Sequence, residues 1–187
     1  MLLVVALIVV GGVAVVLATG GDEAEAAEFE REPVETAGDN PFMPNVGTDQ
    51  GGVTPPPDTG ETFEGNTPGL YGGTMNQAQC DAEQLITFLE QNADKAAAWA
   101  QVLGIKAADI RDYVSGLTPV VLRSDTYVTN HGFENGRATS FPAVLQAGTA
   151  VLVDDKGAPV VKCYCGNPLT PPPTTGGAKY SGPKWPE

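Results

Sequence analysis

At 187 residues the chain has room for one domain of ordinary size plus appended segments. Ten basic against twenty-three acidic side chains give a formal net charge of −13, which excludes the positive footprint that a nucleic-acid-binding protein needs. The excess is uneven: residues 20–66 hold twelve acids and one base, Arg31, whereas residues 67–187 hold eleven acids and nine bases.

The chain opens with Leu2–Thr19, LLVVALIVVGGVAVVLAT, eighteen residues without charge or proline. As a helix it would span about 27 Å, close to the thickness of a bilayer's hydrocarbon core. This predicts a transmembrane anchor over residues 1–19. A cleaved signal peptide fits less well, because no Lys or Arg precedes the apolar run. A core helix would need a polar face that the run does not have. Only Arg31 flanks the run downstream, so nothing retains the following chain in the cytoplasm. A single-pass cell-membrane protein with an extracytoplasmic C-terminal domain is expected.

Residues 20–66 mix acids with Pro, Gly, Thr and Asn and carry no apolar period. They predict a disordered acidic linker, a solvated spacer that cannot offset its own chain entropy. A folded domain is expected over residues 67–170. Its first half has helical spacing: Ala82, Leu85, Ile86 and Leu89; Ala96, Trp99, Ala100 and Leu103; Ile110, Tyr113, Val114 and Leu117. Asn92 is placed to cap the second helix and Gly104 to end it. The second half reads as short strands at 120–122, 126–129, 143–145, 149–153 and 160–165, with a hairpin turn at Asp154–Gly157 and another turn at Asn135-Gly136. Residues 171–187 form a Pro/Gly-rich tail, expected to be a plain flexible terminus, with a peptide- or wall-contact surface carried by Tyr180 and Trp185 as the alternative. The expected fold class is α+β: an N-terminal transmembrane helix, a disordered acidic linker, then a three-helix layer packed on a small antiparallel sheet.

Several stretches together carry a family resemblance: GLYGGT at 69–74, CDAEQL at 80–85, AAAWAQVLGI at 96–105, LTPVVLRSDTYVTNHGF at 117–133, VLQAGTAVLVD at 144–154 and CYCGNPLTPP at 163–172. The chain resembles a domain of unknown function that recurs in actinobacterial proteins behind a membrane anchor and a low-complexity linker. The resemblance covers about the last two-thirds of the chain. It implies an actinobacterial envelope protein and implies no activity.

Cys80 begins the first helix, and Cys163 and Cys165 lie two apart on what reads as the last strand, facing one side. Outside the cytoplasm one disulfide is expected, from Cys80 to Cys165, with Cys163 as the alternative. Cys80, His131, Cys163 and Cys165 also make up a Cys₃His zinc set by type, but without knuckle spacing. Cys-x-Cys as a redox pair, and a Cys–His nucleophile oriented by Asp125, rest on residue type alone. His131 ends a strand before a glycine turn, where hydrogen bonding to loop backbone is the simpler role; any binding site is expected at Asn130, His131 and Arg137. The stretch 97–108 imitates a helix-turn-helix, but residues 81–117 carry six acids against three bases.

The expected function is a non-enzymatic, membrane-tethered extracytoplasmic binding or interaction domain of the cell envelope. It needs no cofactor and no metal, and it binds no nucleic acid. Its expected partners are the membrane, through residues 2–19, and an envelope protein, peptide or glycan. The alternative is an envelope enzyme, or a thiol-redox or zinc protein using the Cys/His constellation.

Overall fold

The computed structural model describes residues 26–54 and 80–185, together with the backbone of 9–10 and 13–14. The last two form β1 (Val9–Val10) and β2 (Val13–Ala14), paired antiparallel with Val10 opposite Val13. This overturns the expected transmembrane helix. Three of the four paired residues are valines, whose branched Cβ atoms favour strands. No helix among the described residues is long and apolar enough to cross a membrane. The other residues of the apolar run lie outside the described ones.

The architecture is mainly β, not the expected α+β balance. Its strands are β3 (Ala27–Glu32), β4 (Thr118–Val121), β5 (Thr126–Asn130), β6 (Phe133–Glu134), β7 (Arg137–Ala138), β8 (Phe141–Leu145), β9 (Ala150–Val153), β10 (Pro159–Lys162), β11 (Asn167–Thr170) and β12 (Ala178–Ser181). Eight of them form one sheet in the order β12-β3-β8-β5-β11-β10-β9-β4, and β6 pairs with β7 as a separate hairpin. The sheet is mixed, since β3 runs parallel to both β12 and β8. The expectation of a small antiparallel sheet fails because β3 and β12 come from the segments read as linker and tail. Neither strand has a sequence-local partner, so their pairing leaves no short-range signature.

Residues 26–54 are therefore part of the fold, although they lie within the stretch expected to be disordered. Phe29, Phe42, Met43 and Val46 are buried. Backbone hydrogen bonds from Met43 N to Cys165 O (3.1 Å) and from Gln50 N to Gly148 O (2.8 Å) lay the segment across two turns of the sheet. Both turns require glycine. Gly166 has φ +64° and a Cβ there would meet Met43 Sδ at 2.4 Å, while Gly148 has φ +103° and a Cβ would meet Gln50 O at 2.0 Å.

Three short helices, α1 (Ala82–Gln91), α2 (Ala93–Leu103) and α3 (Ile110–Ser115), sit where the apolar spacing falls. They do not form the expected layer. They cover one part of the sheet, packing Leu85, Ile86, Leu89, Trp99 and Val114 against Leu152 and Val161. Asp81 caps α1 by accepting from Gln84 N (2.9 Å). Asn92 holds the N-cap position of α2 as expected, but its side chain makes no cap bond and donates from Nδ2 to Phe88 O (2.7 Å). Gly104 ends α2 in the left-handed region at φ 68°.

A second apolar cluster, Leu122, Val128, Ala143, Leu145, Val151, Val153 and Leu169, fills the opposite face of the sheet. The register places Glu32, Leu145, Val128, Asn130, Asn167 and Lys162 on this same inner face, through the pairs Glu32–Leu145, Val128–Ala143, Leu169–Asn130 and Lys162–Asn167. β3 and β10 are four places apart in the sheet, yet Lys162 Nζ lies 3.3 Å from Glu32 Oε2. A flat sheet would hold those strands roughly 19 Å apart. The sheet curls around its inner face.

Candidate functional site

Cys80 is bonded to Cys163 across 83 residues, and Cys165 is free and buried. The expected first choice, Cys165, is corrected to the alternative for a local reason. β10 ends at Lys162, and residues 163–166 form the turn into β11, so the two cysteines do not share a strand face. Burial pushes the Cys165 thiol up to about 12, which keeps it protonated and unreactive. Two members of the Cys/His constellation are thus joined to each other and a third is sealed away. Among the described residues no three His, Cys, Asp or Glu side chains gather closely enough to hold a metal ion.

The structure separates the three residues expected to form a binding site. Asn130 points inward, fully buried, and donates from Nδ2 to Glu32 Oε1 (2.9 Å) and Oε2 (2.8 Å). His131, half-buried, takes the next position along the chain. Its Nδ1 donates to the Thr139 carbonyl (3.0 Å), so Nε2 accepts from the Thr170 hydroxyl (3.0 Å). Burial depresses its pKa, which favours this neutral ring. Arg137 is exposed on the β6–β7 hairpin, beyond the Asn135-Gly136 turn with φ 50° and 78°.

A cleft exists elsewhere, on the outer face of β12, β3, β8 and β5. Tyr127, Val144 and Arg31 lie in one line across three strands by register, and Tyr180 pairs with Phe29 alongside. The cleft has a volume of about 290 Å³ and is lined by Arg31, Asp125, Tyr127, Tyr180, Lys184 and Trp185 with Val144. Buried Phe29 props Tyr127 from below, edge to face with ring centroids 5.0 Å apart. The Tyr127 and Tyr180 hydroxyls hydrogen-bond to each other, and this bond first, then burial, pushes the Tyr127 phenol up to about 12. The Arg31 guanidinium lies 4.7 Å from the Tyr180 ring centroid. Asp125 accepts from Trp185 Nε1 (3.0 Å) and from Ala147 N (2.9 Å), which fastens the C-terminal arm as the cleft's wall.

Tyr127 and Tyr180 are also the most exposed large apolar side chains described, at 42% and 43%. Arg31 and Lys184 outnumber Asp125, so the cleft is a cationic spot on a chain of net charge −13. It can stack planar or ring-shaped groups and hold an anion beside them. The tail, expected to be a flexible terminus, instead supplies β12 and two aromatics of the cleft, Tyr180 and Trp185. Arg31 and Phe29 were not, because the alternation in Ala27–Glu32 sits inside an acidic stretch.

No curated protein and no solved structure matches the chain. A family model does match, over residues 61–187, and its family is described as a domain of unknown function. The chain belongs to that family, DUF6777.

Proposed function

We propose that the chain is an extracytoplasmic binding module of the cell envelope that takes an anionic sugar chain on the Tyr127–Tyr180 cleft. The observation that carries this reading is the pair of adjacent exposed tyrosines with Arg31 over one ring and Lys184 nearby. Aromatic faces stack on the apolar faces of sugar rings, and guanidinium and ammonium groups pair with carboxylates. The Cys80–Cys163 bond supports an oxidising compartment. The hydropathy of residues 2–19 supports retention at the cell membrane, tested by asking whether the full chain sediments with membranes and resists extraction at high pH.

Calorimetric titration of the full chain with an oligogalacturonate, and with an uncharged oligosaccharide of equal length, tests the ligand class. Saturable binding of the acidic sugar, weakened at least tenfold in Tyr180→Ala, supports it. Equal binding of both sugars, or binding unchanged in Tyr180→Ala, overturns it.

A further inference from the structure

Four polar side chains from four strands meet on the inner face of the sheet, away from the cleft and out of reach of water. Lys162 and Asn130 are 0% exposed, Asn167 1% and Glu32 2%. The Glu32 carboxylate stands between the other two reactive groups, accepting from Asn130 Nδ2 at 2.8 and 2.9 Å and lying 3.3 Å from Lys162 Nζ. Lys162 Nζ itself makes no hydrogen bond among the described residues. Asn167 Nδ2 donates to Asn130 Oδ1 (3.1 Å), and Asn167 is itself held by Phe42 N donating to its Oδ1 (2.9 Å).

An amine, a primary amide and a carboxylate touching both, in a dry site, hold every part that amide exchange needs. The amine is the nucleophile, the amide carbon the electrophile and the carboxylate the proton carrier. We propose that Lys162 and Asn130 join through an intramolecular amide bond, tying β10 to β5 across β11, with Glu32 moving the protons. Glu32 takes a proton from the Lys162 ammonium, and the freed Nζ attacks Cγ of Asn130. Negative charge develops on Oδ1, where the Asn167 amide already donates. Glu32 returns its proton to Nδ2 as the Cγ–Nδ2 bond breaks, then takes the second proton from Nζ. The products are the Nζ–Cγ amide, one ammonia and a neutral Glu32 carboxyl group. Atoms and charge balance, and no oxidant or cofactor enters. Burial keeps water from competing as the nucleophile.

The test is the mass of the purified full chain after disulfide reduction, followed by tryptic mapping. The expected result is a loss of about 17 Da, one ammonia, and a branched peptide linking the segments that hold Lys162 and Asn130, with no cleavage after Lys162. Glu32→Gln, which keeps the shape and carries no base, is expected to restore the full mass, as is Lys162→Met. Separate linear peptides ending at Lys162 and containing intact Asn130 in the wild-type map would overturn the proposal, whether or not the variants fold. So would a branch ending on Asn167, or an ammonia loss mapped to the Asn135-Gly136 turn, where a succinimide would form. Cross-linking that persists in folded Glu32→Gln would overturn the role given to Glu32.

Discussion

Arg31 and Glu32 are neighbours on β3, and they serve opposite faces of one sheet. Arg31 turns outward beside Tyr180, half-buried at the rim of the cleft, while Glu32 turns inward into a site that water does not reach. β5 divides in the same way, with Tyr127 outside and Asn130 inside. The side-chain period of two lets six-residue and five-residue strands carry two independent chemistries. The outer face is shallow, aromatic and cationic, suited to reversible contact. The inner face is dry and fully packed, suited to holding the strands together.

The largest losses are expected on the inner side. Lys162→Ala removes the amide bond proposed to Asn130 and leaves Glu32 buried with no cation beside it, and is expected to cost at least about 3–5 kcal/mol, read as a lower denaturant midpoint, with cleft binding intact in the folded fraction. Replacing both Cys80 and Cys163 with alanine frees an 83-residue span in the unfolded chain. That is expected to cost about 2–4 kcal/mol by the same readout. On the outer side Tyr127→Phe removes one hydroxyl bond to Tyr180 and is expected to shift stability by at most about 1 kcal/mol. It should also abolish the Tyr127 contribution to ultraviolet titration near pH 12.

The smallest effect is expected at His131, through pH. Burial lowers its folded value below the ordinary 6.5, so between those two values the unfolded chain binds more protons than the folded one. Stability therefore rises with pH through that window and is lost as pH falls. His131→Gln, which can still bond the Thr139 carbonyl, is expected to flatten the profile of thermal midpoint just below the ordinary imidazole value.

Local pattern made the helices legible, and it hid β3. Leu85, Ile86 and Leu89, or Trp99 with Ala96 and Ala100, repeat at a spacing that only a helix serves, and Gly104 marks its own left-handed stop. Ala27–Glu32 also has a period, with Phe29 and Arg31 out and Glu30 and Glu32 in, but four of the residues that flank it in 22–35 are acids. Charge spoke louder than alternation. Its parallel partners β8 and β12 lie more than a hundred residues away, so only the folded chain shows what offsets the entropy. The family match begins at residue 61, yet Arg31 of the cleft, and Glu32 and Phe42 of the inner site, come from before it.

The candidate site was legible in pieces. Tyr180 and Trp185 stood out as aromatics in a polar tail, whereas Asn130 and His131 stood out together and separated, because adjacent strand residues face opposite ways. The signal that reading by motif passed over is Lys162 in Val160-Val161-Lys162-Cys163. A lone lysine inside an apolar strand run must find a buried partner, and the search for one leads to Glu32. The disulfide shows the same limit from the other side, since two cysteines two apart read as one face until a turn intervenes at 163–166.

The most direct test compares the two neighbours on β3, measuring denaturant midpoint and oligogalacturonate affinity together in Arg31→Ala and Glu32→Ala. A crossed result is expected: Arg31→Ala loses affinity and keeps its midpoint, and Glu32→Ala loses midpoint and keeps affinity wherever it remains folded. Parallel losses in both variants, or affinity untouched in Arg31→Ala, would contradict the division of the sheet into a binding face and a fastening face.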